Sequence, residues 1–225
     1  RDLAAATCQG FGSAPCGCTL AVVAGTLDDL TRRLRSAKDA IARGDAAWSD
    51  PSGAYFSAAA IAEGRIAFVF PGQGSQTVNM LRDLCVALPS VREVFEQADV
   101  GLKDTFERPL SSYVYPRPSF TDDERKADEA ALTDTRVAQP AIGAADAAML
   151  RLVCDLGIAP DFTCGHSYGE YPALYAAGVI SFAELMRLSE ARGRLIAEAG
   201  GKNPGTMAAV SADAESVERV IAGAE

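Results

Sequence analysis

Histidine is nearly missing from this chain: among 225 residues there is one, His166. A single imidazole cannot build a histidine-rich metal site, and it leaves a serine or cysteine nucleophile at most one base of that type. Long apolar runs are missing too. None approaches the roughly 18 residues of a membrane span, and Arg1 to Gly10 lack the apolar centre of a signal peptide. Positive charge is in deficit, with 21 Lys and Arg against 30 Asp and Glu and a net charge of −9. That balance argues against nucleic acid as a partner. There is no CxxC. Of the six cysteines, Cys16-Gly17-Cys18 is too tight for a zinc pair, and no distant CxxC or HxxxH completes one. GxGxxG is absent, and no Lys-Ser/Thr follows Gly74, so the common dinucleotide and phosphate-loop patterns fail. The expectation is a cytoplasmic protein with reduced thiols, no bound cofactor, no metal and no membrane. Cys85 and Cys154 fall on apolar helical faces and are expected in the core.

What is present reads as alternating strands and helices. Residues 1–18 are expected to be irregular. Thr19–Ala24 reads as a strand. Thr26 caps a helix with Leu27, Leu30, Leu34, Ala37 and Ile41 on one face and Gly44 as its stop. Ala54–Phe56 reads as a second strand, so residues 1–62 form a small α/β unit. Ile66–Phe70 is apolar throughout, the pattern of a strand covered on both faces, and runs into Pro71-Gly72-Gln73-Gly74-Ser75-Gln76. Ser90 and Glu93 read as a capping box for a helix ending near Gly101. Residues 111–133 read as a surface excursion, with Asp122, Asp123, Glu124, Asp128 and Glu129 as a solvated acidic face. Pro140 opens a helix with Ile142, Ala145, Met149, Leu152, Val153 and Leu156 inward, ended by Gly157 and Pro160. Asp161–Cys164 is a strand, followed by a helix to Gly178. Ser181 and Glu184 form a capping box for a helix reaching Ala199. The fold class is α/β with a largely parallel sheet. The chain lacks an initial Met and stops inside a helical pattern, so both ends are expected to be cut from something longer.

Gly165-His166-Ser167-Tyr168-Gly169-Glu170 lies between a strand and a helix. In that setting GxSxG marks a nucleophile elbow, a turn too sharp for a Cβ on either flank. It presents the Ser167 hydroxyl at a helix N-terminus, where negative charge is favoured. His166 is a poor direct base, because adjacent residues on a tight turn point apart. It is expected to pack or hydrogen-bond beneath the elbow, which leaves the general base outside this chain. A tetrahedral intermediate needs two donors. The Tyr168 amide is one candidate and the Gln73 loop supplies the other.

Phe70-Pro-Gly-Gln-Gly-Ser-Gln76, followed by Gly165-His-Ser-Tyr-Gly-Glu170, resembles the malonyl-CoA:acyl-carrier-protein transacylase family, which includes acyltransferase domains of polyketide and fatty-acid synthases. Thr135–Pro140 and Gly205–Ala209 add to the resemblance. It implies an α/β-hydrolase-like core with an inserted ferredoxin-like subdomain, of which 204–225 would be the start. It implies a Ser167 acyl-enzyme, Gln73 and Tyr168 as oxyanion donors, and ping-pong transfer from coenzyme A to the phosphopantetheine thiol of an acyl carrier protein. The family's catalytic histidine lies far beyond the serine, past Glu225. Residues 1–62 resemble the linker between ketosynthase and acyltransferase, so the ketosynthase of the same synthase is an expected partner. Tyr168 in the elbow and the Ala-rich sequence resemble iterative enediyne or polyunsaturated-fatty-acid synthases.

On the last long helix, Leu185, Leu188, Leu195 and Ile196 mark an apolar stripe, and Arg192 falls on it. Arg187 and Arg194 fall outside, and Glu190, Arg194 and Glu198 form an i, i+4 ladder. An inward arginine needs an anion. Spacing alone favours an internal salt bridge. The resemblance makes Arg192 the grip on a malonyl-type carboxylate, with Gln139 and His166 as further residues lining the site. Two other readings stay open: a serine hydrolase or thioesterase using water, and a non-catalytic docking fragment of a synthase.

Overall fold

The computed structural model describes residues 2–10, 17–59, 64–200 and 210–223, which separate into two units, residues 1–64 and 65–225. The first unit runs α1 (Asp2–Gly10), β1 (Thr19–Val22), α2 (Leu27–Ala42), β2 (Ala47–Asp50) and β3 (Ala54–Ser57). Its antiparallel sheet has the order β1-β3-β2, with Leu20 and Trp48 both opposite Phe56. Thr26 caps α2 by accepting from the Asp29 amide at 3.1 Å, and Gly44 follows it at φ +84°. Two expectations change. Residues 2–10 are helical rather than irregular, as their alanines favour. A strand, β2, was not foreseen. Its signal was the Asp50-Pro-Ser-Gly53 turn, where Gly53 takes φ +124° and its amide bonds to the Asp50 carbonyl at 2.9 Å.

The second unit runs β4 (Ala67–Phe70), α3 (Arg82–Ala87), α4 (Pro89–Gly101), α5 (Ser111–Val114), α6 (Asp122–Thr133), α7 (Thr135–Asp155), β5 (Phe162–Gly165), a 3-10 turn (Ser167–Gly169), α8 (Glu170–Ala176), α9 (Phe182–Ala199) and α10 (Ala214–Ala222). β4 and β5 pair in parallel, with Phe70 opposite Gly165. The fold is therefore α/β with a parallel sheet. Its core gathers α4, α7 and α9 through Val91, Phe95, Ala98, Ala141, Ala144, Ala148, Leu185 and Met186. Small residues on α7 let the helices approach closely, and burying each larger side chain contributes about 1.5–3 kcal/mol.

Several local expectations yield to packing. Val69 is 71% exposed and Phe162 54%, so one face of β4–β5 is bare in these residues rather than covered on both sides. Leu88, not Ser90, precedes α4. Pro89 takes its first position and no side-chain cap forms, because a proline already suits that place. The stretch 111–133 holds α5 and α6. Thr121 and Glu124 form the capping box of α6, and Asp122, Asp123 and Glu124 make up its first turn, where the helix dipole favours them. Pro140 lies inside α7, not at its start. Asp134 opens that helix earlier by accepting from the Arg136 amide at 2.9 Å. The buried face of α7 runs from Val137 to Ala148, while Leu156 is exposed. Cys85 is buried as expected, but Cys154 is exposed. α7 is long and apolar enough by composition to cross a membrane, yet its buried face marks it as a core helix. Gly205–Ala209 lies outside the described residues.

Candidate active site

β5 ends at Gly165, and the chain reverses into the 3-10 turn before α8. At the apex Ser167 has φ +55°, a left-handed conformation that costs a non-glycine residue about 1–2 kcal/mol. The flanking glycines show why the turn is so tight. A Cβ on Gly165 would run into the Gly169 carbonyl, and one on Gly169 into the Phe70 carbonyl. Two backbone bonds fix the geometry: the His166 amide donates to the Phe70 carbonyl at 3.1 Å, and the Gly169 amide to the His166 carbonyl at 2.9 Å. Ser167 is left exposed at the top of the strand.

The Gln73 loop comes directly alongside. A Cβ on Gly72 would lie 2.7 Å from the His166 carbonyl oxygen and 3.3 Å from the Ser167 Cβ. Backbone of the loop thus borders the nucleophile, and only glycine allows it. The loop is held from within and from α7. The Ser75 hydroxyl donates to the Gly72 carbonyl at 3.0 Å, and the Gly74 amide to Gln76 Oε1 at 2.8 Å. Gln73 Nε2 donates to Thr135 Oγ1 at 3.0 Å, while Gln139 Nε2 approaches Gln73 Oε1 at 3.4 Å. Gln139 is fully buried and its Oε1 has no protein partner, so it is fit to accept from a ligand or water. Thr135 entered the sequence reading only within the Thr135–Pro140 stretch, and its tie to Gln73 was missed.

Beneath the elbow, Tyr168 is completely buried. Its hydroxyl donates to Ser189 Oγ at 2.6 Å, and Ser189 donates onward to the Leu185 carbonyl at 2.6 Å. Burial pushes the phenol well above its usual range. Gly143 of α7 is needed here too, since a Cβ would strike the Tyr168 hydroxyl. His166 is placed otherwise than expected: its side chain is exposed, not tucked beneath the elbow, with Nδ1 against Gly72.

α9 also departs from the expected stripe. Its buried residues are Leu185, Met186, Ser189 and Gly193, because small Ser189 and Gly193 let α9 close on Tyr168 and on the Thr135 carbonyl. Leu188, Leu195 and Ile196 are exposed. Arg192 is half-buried rather than buried. It borders a depression of about 370 Å³ shared with Tyr171, Leu188, Leu195 and Ile196. Arg194 pairs with Glu190 at 3.0 Å and Glu198 at 3.4 Å. Arg192 has no carboxylate partner among the described residues, and its guanidinium lies 5.7 Å from the Tyr171 ring centroid.

This arrangement matches a known family. The model of the acyl transferase domain covers residues 67–224. The chain belongs to the acyl transferase domain family. The malonyl CoA-acyl carrier protein transacylase of Bacillus subtilis is 41% identical over 157 residues, which is 69% of this chain and 45% of that protein. A malonyl-transacylase solved with the holo acyl-carrier protein of a type II polyketide synthase is 41% identical, with a TM-score of 0.51, over 60% of this chain and 40% of the other. The acyltransferase domain from the second module of the salinomycin polyketide synthase is 32% identical, with a TM-score of 0.59, over 80% of this chain and 37% of the other. That span is more than residues 65–225 could supply, so the likeness reaches into the first unit. The chain spans less than half the length of the curated transacylases it matches.

Proposed function

We propose that this chain carries the nucleophile half of an acyltransferase that moves a malonyl-type group from coenzyme A to the phosphopantetheine thiol of an acyl carrier protein. The observation that carries this reading is the placement of the Gln73 loop backbone against the strained, exposed Ser167. Ser167 Oγ attacks the thioester carbonyl, and the C–S bond breaks as coenzyme A thiolate leaves. The carbonyl oxygen gains negative charge at that moment. The Gln73 and Tyr168 backbone amides stabilise it there, where each such donor is worth about 10²–10³ in rate. A carrier thiol then attacks the ester and Ser167 Oγ leaves with its proton restored. Arg192, half-buried and without a carboxylate partner among the described residues, takes the far carboxylate of the acyl group, and Gln139 Oε1 accepts from the substrate.

His166 is exposed beside Ser167 and lines the entrance rather than serving as base, so the proton acceptor comes from outside these 225 residues. Residues 1–62 are a linker next to a ketosynthase of the same synthase, 63–203 are acyltransferase core, and 204–225 begin the ferredoxin-like subdomain. The reaction needs no metal and no resident cofactor, and the setting is the cytoplasm, in polyketide or fatty-acid synthesis.

Incubating the polypeptide that carries this chain with malonyl-CoA should leave a malonyl ester on the Ser167 peptide, read by mass spectrometry and abolished in Ser167→Ala. No adduct on Ser167 would overturn the reading. Release of free malonate in the presence of carrier protein, with no carrier malonylated, would turn it into a hydrolase.

A further inference from the structure

The chain carries two pairs of side chains at the same spacing. Tyr168 and Tyr171 are three residues apart across the elbow and α8. Ser189 and Arg192 are three residues apart on α9. The pairs meet rung to rung: Tyr168 donates to Ser189, and Tyr171 lies under the Arg192 guanidinium. The two tyrosine rings are nearly parallel, at 10° with centroids 6.0 Å apart. One continuous contact chain therefore runs from the residue after the nucleophile, through two rings, to the arginine. Its lower end cannot shift, because Tyr168 is fully buried and bonded to Ser189. Its upper end faces the open depression.

An arginine needs something to hold its fork in place when no carboxylate does. Among the described residues Arg192 has only the ring face, and a guanidinium over an aromatic face is attracted by the ring quadrupole. The ring leaves all five N–H donors available to an anion in the plane of the fork. A salt bridge would have occupied them. We infer that Tyr171 is a positioning residue that sets acyl selectivity: it holds Arg192 at a fixed distance from Ser167, so that acyl groups with a terminal carboxylate are favoured over those without one. This rests on the acyltransferase reading above, with Arg192 as the carboxylate grip.

The test is the ratio of kcat/KM for malonyl-CoA to that for acetyl-CoA, measured by Ser167 acylation in the full polypeptide. Arg192→Ala should collapse the ratio. Tyr171→Leu should lower it about three- to tenfold, through KM for malonyl-CoA and with acetyl-CoA little changed. Tyr171→Phe keeps the ring and should keep the ratio. Pentafluorophenylalanine at position 171 keeps the shape but reverses the ring's charge distribution. It should lower the ratio like the leucine variant, and it decides the matter if Tyr171→Leu fails to fold. A ratio unchanged in the fluorinated variant, while Arg192→Ala collapses it, overturns the role of Tyr171 and leaves the acyltransferase reading intact. A ratio unchanged in Arg192→Ala overturns the carboxylate grip itself.

Discussion

Among the described residues of the second unit, two turns hold non-glycine residues in the left-handed region. One is the elbow, with Ser167 at φ +55°. The other is the turn before α3, with Asn79 at φ +65° and Leu81 at φ +58°. Each is tied down by a half-buried or buried tyrosine hydroxyl. Tyr168 donates to Ser189 at 2.6 Å, and Tyr115 donates to the Met80 carbonyl at 3.0 Å. The difference lies in what surrounds the backbone. Around Ser167 three glycines are required, because Cβ atoms at 165, 169 and 72 would meet backbone atoms. Around Asn79 the support is two backbone hydrogen bonds and the packing of its neighbours Met80 and Leu81 on the core: the Asn79 amide donates to the Val114 carbonyl at 2.7 Å, and the Arg82 amide donates to the Asn79 carbonyl at 3.1 Å. Strain fixed by crowding on every side cannot relax, and such sites tend to be functional. Strain held by two hydrogen bonds and side-chain packing serves the path of the chain.

The largest effect should come from breaking the crowding. Gly165→Ala forces a methyl into the Gly169 carbonyl, so β5 and the turn must part. Such a backbone clash falls at the upper end of single-residue effects, about 3–5 kcal/mol. Urea denaturation should show that loss, and Ser167 acylation should vanish even where the protein remains folded. Gly74 has φ +110° but open space around a Cβ. Gly74→Ala should therefore cost only its backbone strain, about 1–2 kcal/mol.

How much of this was legible beforehand follows from the kind of force involved. The elbow, the Gln73 loop, the Thr26 cap and the Ser181–Glu184 box are local, and their residues declare them within six positions. The α/β alternation was likewise readable from period and punctuation. What failed was set by distant partners. The buried face of α9 is chosen by Tyr168 and Thr135, not by its leucines, so Arg192 came out half-buried. The start of α7 lies earlier because the Asp134 carboxylate accepts from the Arg136 amide, a cap that Pro140, with no side-chain acceptor, cannot supply. Val69 looked like a core residue because an apolar strand does not say which of its faces is covered. Tyr171 and Thr135 gave no signal alone, since their meaning lies in contacts 21 and 62 residues away in sequence.

A medium effect separates the two tyrosines. Tyr168→Phe and Tyr115→Phe should each cost about 1 kcal/mol in thermal or urea unfolding, the net worth of one hydrogen bond. Only the first should slow Ser167 acylation. The pH dependence has a definite sign. Burial raises both phenols above their ordinary value of 10, so the folded protein holds these protons more tightly than the unfolded chain. Their contribution is fully present below pH 10 and is lost as pH rises beyond it. Unfolding followed from pH 9 upward should fall less steeply in either phenylalanine variant. Equal slopes in all three proteins would mean the hydroxyls are not shielded.

The smallest effect is the most direct measure of stored strain. Ser167→Gly removes the left-handed penalty of about 1–2 kcal/mol but adds unfolded-state freedom worth about 0.5–1 kcal/mol. The balance is a protein more stable by about 0.5–1 kcal/mol that cannot be acylated. Asn79→Gly starts from a residue that tolerates this region, so the same two terms nearly cancel and stability should move by only a few tenths. Leu81→Gly is the wrong comparison, because Leu81 also packs against the core and its loss hides the gain. Differential scanning calorimetry on Ser167→Gly and Asn79→Gly reads the contrast. If the serine variant gains no more than the asparagine one, the elbow holds no more strain than an ordinary turn, and the crowding by glycine-requiring neighbours has no energetic counterpart at the nucleophile.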